Sequence, residues 1–325
     1  MLADNMDDQT IRQETPIEHI ERRLLHPMNV LERFPKYFLI ETTNTCNARC
    51  IMCGIDFDKK AKQIIQDELY ERIAEEIGRF SDHVEKVMPY LDGEPMIDKK
   101  LPMRVGQMKA AGVKNVNIAS NASLLSEKMG RQLIEAGLDE IYITLDSMKK
   151  DVYEAIRIRL NFDTVFENIH RFIALRNELN PKLRIRMQMV LQELNFTEGA
   201  AFESYWRGKL GSNDQIVLQK AHNWANAVDV MTFGDENDAN AIPCIALWGT
   251  FVIHVNGDTA LCCMDTETKH LLGNVWEQSI EEIWNGPQMA EIRAKHLENR
   301  RHEIKICDGC TLWREEKHQT EQAAE

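Results

Sequence analysis

Residues 38–53 read FLIETTNTCNARCIMC, an apolar run of three that turns polar and then places cysteines at 46, 50 and 53. A short β-branched and aromatic run ending in Thr42, Thr43 and Asn44 reads as a buried strand whose end opens into a loop. Three thiolates on one tight loop can converge on three irons of a cubane cluster and leave the fourth iron without a protein ligand. An open metal position marks a reactive site, whereas four protein ligands close a site. Zinc would need a fourth His or Cys close by, and no histidine lies between residues 27 and 82.

Outward from this loop, short β-rich runs alternate with amphipathic ones. Strands are expected at 38–43, 86–91, 115–119, 140–145, 183–190 and 215–219. Between them DELYERIAEEIGRF (67–80) and NFDTVFENIHRFIALRNEL (161–179) carry apolar residues at helical spacing. Gly112, Gly137 and Gly211 stand where C-terminal glycine caps are expected. Six strand–helix repeats imply a parallel sheet with right-handed crossovers, and a barrel of this kind carries function at the C-terminal ends of its strands. The expected fold is α/β, a partial (β/α)6 TIM-like barrel. All six strands end in polar groups: Thr42-Thr43-Asn44, Asp92-Gly93-Glu94, Ser120-Asn121, Asp146-Ser147, Gln192 and His222-Asn223. Trp224, His222 and Asn223 are candidates to line a substrate pocket.

The organisation expected is a helical, charged extension over 1–36, the barrel over 37–228, a smaller C-terminal domain over 229–318 and a frayed tail over 319–325. The polar stretch TFGDENDANAIP (232–243) suits a linker. After it, TFVIHVNGDTALCC (250–263) reads as a hairpin turning at Asn256-Gly257.

Composition sets limits. The chain has 325 residues, 43% hydrophobic and 28% charged, and 39 basic against 52 acidic residues give a net charge of −13. That balance argues against a nucleic-acid or anionic-membrane partner, since binding to phosphates rests on a basic surface. No apolar run approaches the ~20 residues needed to span a bilayer. The first fifteen residues have no basic segment followed by an apolar one, so a cytoplasmic protein is expected. Eight cysteines in a reducing compartment point to metal or catalytic roles rather than disulfides. Four of the five in the tail (Cys244, Cys262, Cys307, Cys310) suit either a closed zinc site or an auxiliary [4Fe–4S] cluster, and spacing alone does not choose.

With these motifs in place, the chain resembles the radical S-adenosylmethionine (radical SAM) superfamily, whose hallmark is the Cys-x3-Cys-x2-Cys loop after the first barrel strand. The resemblance covers about residues 36–225. It implies that Cys46, Cys50 and Cys53 hold a [4Fe–4S] cluster whose open iron is chelated by S-adenosylmethionine, and that reductive cleavage of the cofactor yields a 5′-deoxyadenosyl radical. Gly93-Glu94-Pro95 matches the Gly-Gly-Glu motif, with Asp92 in place of the first glycine; Glu94 would accept from the methionine ammonium. Ser120 and Asn121 resemble the polar pair facing the ribose and carboxylate. Arg157, in DVYEAIRI (151–158), resembles the arginine pairing that carboxylate, Asp146 and Ser147 are candidates for ribose contacts, and Met52 would lie against the adenine.

The tail resembles the SPASM/Twitch extension: Cys244, Gly257-x4-Cys262, LLGNVWEQSIEEIWNGPQMAEIR (271–293) and Cys307-x2-Cys310. With five tail cysteines, this implies one auxiliary [4Fe–4S] cluster on Cys244, Cys262, Cys307 and Cys310, and two clusters in all. Cys263 is then either a small buried hydrophobe or a thiol that donates hydrogen to a substrate radical. The pattern of four tail cysteines resembles aminocyclitol dehydrogenases, so the expected reaction is dehydrogenation or epimerisation of a sugar- or aminocyclitol-like small molecule. The alternative is modification of a ribosomal peptide by a thioether, a crosslink or epimerisation. Flavodoxin or ferredoxin is the expected reducing partner.

Overall fold

The computed structural model describes residues 14–59, 61–221, 224 and 243–310. The expected linker up to residue 242, His222, Asn223 and the frayed tail lie outside the described residues. Strands β1 (Tyr37–Ile40), β2 (Arg49–Cys50), β3 (Lys86–Met88), β4 (Asn117–Ser120), β5 (Glu140–Thr144), β6 (Arg157–Ile158), β7 (Arg184–Leu191) and β8 (Gln215–Lys220) belong to the barrel half. Strands β9 (Thr250–Ile253), β10 (Asp258–Ala260) and β11 (Leu271–Asn274) belong to the tail. The parallel order β4-β5-β7-β8 is joined to β1-β3 through the parallel Val87–Val116 bridge. The fold is therefore the α/β partial barrel of six parallel strands, with a C-terminal domain.

Helices cover the outside because each carries an apolar stripe. In Asp67–Arg79 the residues Leu69, Tyr70, Ile73, Ala74 and Ile77 are buried, and in Phe162–Leu179 Val165, Ile169, Phe172 and Ile173 are. Two of the three expected glycine caps follow Leu101–Ala110 and Glu127–Glu135, where Gly112 (φ +89°) and Gly137 (φ +87°) take the left-handed conformation. Gly211 does not. The preceding helix already ends at Gly208, and Gly211 instead donates its N–H to the Asp214 carboxylate.

The tail is less separate than the sequence suggested. Strand β9 pairs parallel with β1, with Ile40 opposite Ile253, so the order β11-β10-β9-β1-β3 forms one sheet. Without β9 the β1 edge would expose unpaired backbone groups. The hairpin between β9 and β10 turns at Gly257, whose φ is +91°. The N-terminal helices Pro16–Leu24 and Met28–Leu31 pack under this junction. Their Ile20, Leu24 and Leu31 are buried, and Trp284 Nε1 donates to the Leu31 carbonyl at 3.1 Å.

One ion pair fastens the far side of the barrel. Arg176 donates to both carboxylate oxygens of Asp214 at 2.8 and 2.6 Å, and both side chains are buried. Asp214 also accepts from the Ile185 and Gly211 amides. Burial pushes the Asp214 carboxyl up, but Arg176 and the two amides outweigh it and hold it below the usual range. Its stabilisation is therefore complete above the unfolded pKa of about 4 and is lost as the pH falls through the lower folded value. Asp214→Asn leaves a buried guanidinium uncompensated and should cost roughly 3 kcal/mol at pH 7. Urea unfolding checks this, and an unchanged midpoint at pH 7 would contradict it.

Candidate active site

The cysteine loop is held by backbone contacts only its own sequence permits. A Cβ on Gly93 would lie 2.3 Å from the Thr43 oxygen and 2.6 Å from that of Thr45, so only glycine fits this approach. The next amide, Glu94 N–H, donates to the Thr45 carbonyl at 2.9 Å. On the other side, β2 pairs antiparallel with β6, setting Cys50 opposite Arg157. Asn121 donates to Asn47 at 3.1 Å, and Asn47 donates to Ser123 at 2.8 Å, which ties the loop to the end of β4.

These ties bring the predicted residues to one cavity of about 290 Å³ at the C-terminal mouth of the barrel. Cys46, Cys50, Cys53, Met52, Gly93, Glu94, Ser120, Asn121 and Arg157 all line it, and so does Trp224. Glu94 is 3% exposed and accepts from Ser120 Oγ at 2.8 Å, the Asn121 amide at 2.9 Å and the Met96 amide at 3.3 Å. Burial nevertheless raises its pKa, so the pocket holds a carboxylate that a ligand ammonium would stabilise. Arg157 donates through Nε to Asp146 at 2.5 Å and through a terminal nitrogen to Cys50 Sγ at 3.4 Å.

Two candidates lie elsewhere. Asp146 and Ser147 are wholly buried and do not line the cavity. Asp146 is taken up by Arg157 and the Val190 amide, and Ser147 by Glu198, so these two brace the barrel rather than face a ribose. Sequence reasoning missed Phe57, Tyr90, Thr144, Gln188, Val190 and Gln219, which also line the cavity. For Gln188, Val190 and Gln219 the signal was the two-residue alternation of β7 and β8, which turns them to the barrel interior.

The thiols fit a cluster better than zinc. Tetrahedral zinc with bonds of about 2.3 Å holds its sulfurs roughly 3.8 Å apart. Among the described residues the group of three or more His, Cys, Asp or Glu donors within 4.8 Å of one another is Glu41, Asp92 and His254, with no cysteine in it. Burial above all pushes Cys46 and Cys53 up to about 11, and Cys263 and Cys307 up to about 12; Cys262 is raised as well. Iron must displace those protons on binding.

The tail thiols raise one another's pKa. Cys244 and Cys307 act on Cys262, while Cys244 and Cys310 act on Cys263. Beside them the Cys244 amide donates to His296 Nδ1 at 3.2 Å, and Arg301 donates to the Cys307 carbonyl at 3.0 Å. Burial, then Arg301, lowers the His296 pKa to about 4, so its imidazole is neutral there.

A loop of three cysteines at the mouth of a parallel barrel, with a second cysteine group behind it, defines the class as a radical SAM enzyme with an auxiliary-cluster domain. The family models bear this out: residues 40–179 match "Radical SAM superfamily" and residues 244–311 match "Iron-sulfur cluster-binding domain", the SPASM model. Residues 40–179 are thus a radical SAM domain and residues 244–311 a SPASM iron–sulfur domain, and the two together imply S-adenosylmethionine and two iron–sulfur clusters. Among curated proteins it is similar to the GTP 3′,8-cyclase of Limosilactobacillus fermentum, 30% identical over 49% of this chain and 47% of the relative. It is also similar to molybdenum cofactor biosynthesis protein 1 of Dictyostelium discoideum, 27% identical over 61% of this chain and 31% of that protein. The chain thus spans less than half the length of both relatives.

Among solved structures it resembles BtrN in complex with AdoMet and 2-DOIA, with a TM-score of 0.58 and 18% identity over 85% of this chain and 92% of that one. It also resembles native anSMEcpe with bound AdoMet, with a TM-score of 0.60 and 14% identity over 85% and 89%. At such identity these likenesses show the fold alone.

The curated relatives correct the expected reaction. They are GTP cyclases and molybdenum cofactor proteins, neither dehydrogenases or epimerases of sugar-like alcohols nor peptide modifiers. The expectation leaned on the count of tail cysteines, a feature of the scaffold, whereas substrate choice resides in pocket side chains.

Proposed function

We propose that this chain cleaves S-adenosylmethionine reductively and directs the resulting radical at a nucleoside- or nucleotide-class small molecule. The observation that carries the reading is the convergence of Cys46, Cys50 and Cys53 with Glu94, Ser120, Asn121 and Arg157 on one cavity. The cluster supplies the electron that breaks the cofactor's carbon–sulfur bond. Cys46, Cys50 and Cys53 hold that cluster, and Glu94 receives the methionine ammonium. Met52, lying under Gln192 at 3.8 Å, offers a polarisable surface to the adenine. Arg157, steadied by Asp146, keeps a positive charge beside Cys50. Cys244, Cys307, Cys310 and one of Cys262 and Cys263 hold the auxiliary cluster.

Tyr90, Trp224, Gln188 and Gln219 line the part of the cavity left for substrate. Rings and amides of this kind stack on a planar heterocycle and meet its edges. The relatives' names make GTP the first probe. A low-potential flavodoxin or ferredoxin would supply the electron, and the reducing conditions that eight free cysteines call for suit the cytoplasm.

Iron-replete protein, reduced anaerobically with dithionite, should form 5′-deoxyadenosine from the cofactor and consume GTP. No 5′-deoxyadenosine would overturn the radical reading. Formation of 5′-deoxyadenosine with GTP and guanosine untouched would overturn the substrate class and leave the radical reading standing. Glu94→Gln should weaken cofactor binding about 10- to 100-fold, the loss of one charge-assisted hydrogen bond, with iron content unchanged. Equilibrium dialysis with labelled cofactor measures it, and unaltered binding would remove Glu94 from the site.

A further inference from the structure

Three strands that neighbour one another in the sheet, β9, β1 and β3, each run into a buried ionisable residue. Ile40 pairs with Ile253, so the residues that follow them, Glu41 and His254, stand side by side; Asp92 follows β3. Glu41, Asp92 and His254 are 1%, 7% and 5% exposed, and one ligand atom from each lies within 4.8 Å of the others. We propose that these three side chains form a binding site for a divalent first-row cation, with no cysteine among its ligands.

Four observations carry the proposal. The first is the histidine's orientation. His254 Nε2 lies 3.3 Å from the Asp265 carbonyl, which can only accept, so Nε2 carries a proton and Nδ1 is the nitrogen turned toward Glu41. A ring N–H donated to a backbone carbonyl is how metal-binding histidines are commonly oriented. Secondly, Nδ1 faces Glu41 Oε2 at 3.3 Å, an approach that either a proton or a cation between the two atoms must hold. Two ligands on one metal at about 2.1 Å lie roughly 3.0–3.4 Å apart, which matches.

Thirdly, Glu41 Oε2 already accepts from the Val255 amide at 2.9 Å, whereas its Oε1 is buried with no hydrogen-bond partner. Such an atom costs free energy unless something binds it. Fourthly, there is a way in. A cavity of about 490 Å³ reaches Glu41 and His254 and is lined by Asn44, Gln63, Asp258 and Glu267, a polar and acidic approach that favours a hydrated cation.

One imidazole and two carboxylates, with no thiolate, suit Mn²⁺, Fe²⁺ or Zn²⁺ rather than a cluster. The bound ion would tie the barrel strand ends to the tail hairpin. It would also fix Asp92, which lines the main cavity in the position where the family motif has glycine.

The test is an Mn²⁺ titration of the iron-replete holoenzyme with its clusters oxidised, following the free-ion electron paramagnetic resonance signal. The expected result is uptake that saturates at one ion per chain. His254→Gln and Glu41→Gln should each weaken it at least about tenfold, with iron content and circular dichroism unchanged. Should either variant fail to fold, the wild-type readout still decides: added Mn²⁺ or Zn²⁺ should raise its melting temperature, as any ligand of the folded state must. No saturable uptake of Mn²⁺ or Zn²⁺, or uptake that both folded variants retain in full, would overturn the proposal. In that case a proton, not a metal, bridges Glu41 and His254.

Discussion

Cys50→Ala should leave the chain folded, lower its iron from about eight to about four per chain, and reduce 5′-deoxyadenosine formation by roughly three orders of magnitude or more. Cys50 is singled out because it sits in the β2–β6 pairing, with its Sγ 3.4 Å from an Arg157 nitrogen. Its backbone is held by that pairing whatever the side chain, so the lost thiolate is the main change. Only the site with an open iron can chelate the cofactor, so no second electron route to the sulfonium remains. Iron analysis with chromatographic assay of 5′-deoxyadenosine tests this. Full activity in a variant with four irons would show that the wrong cysteines carry the reactive cluster.

The paired replacement Cys307→Ala and Cys310→Ala should also leave about four irons per chain, with the opposite functional outcome. Cleavage of S-adenosylmethionine in the absence of substrate should persist within about threefold, because the barrel cavity takes no lining residue from this segment. Turnover of substrate should fall at least about 100-fold if the auxiliary cluster meets the substrate or its radical. The tail should also loosen, since Cys307 closes the turn after Arg301–Glu303 and metal binding contributes directly to the stability of so small a unit. Loss of both clusters on these substitutions would contradict the separation of the two sites.

Much of the barrel was legible because each of its units is local. An apolar run, a polar end and an amphipathic helix follow one another unit by unit along the chain, so all six parallel strands could be placed from the sequence pattern. Gly93 was legible as a motif, and the structure shows why a side chain cannot stand there. What stayed hidden depends on distant pairing. Nothing near Thr250–Ile253 says that it pairs with Tyr37–Ile40, and without that pairing Glu41 and His254 have no reason to be neighbours. Asp146 and Ser147 misled because polarity at a strand end says nothing of direction: both turn into the barrel wall, toward Arg157 and Glu198. The substrate was misjudged for a related reason, since cysteine spacing reports the cluster and not the ligand beside it.

The most direct test of the central claim is the electron paramagnetic resonance spectrum of reduced, iron-replete protein recorded with and without S-adenosylmethionine. Two [4Fe–4S] signals are predicted, of which the cofactor shifts one, that one being absent in Cys50→Ala and present in the Cys307, Cys310 double variant. A spectrum in which neither signal responds to the cofactor would contradict a radical SAM site at Cys46, Cys50 and Cys53.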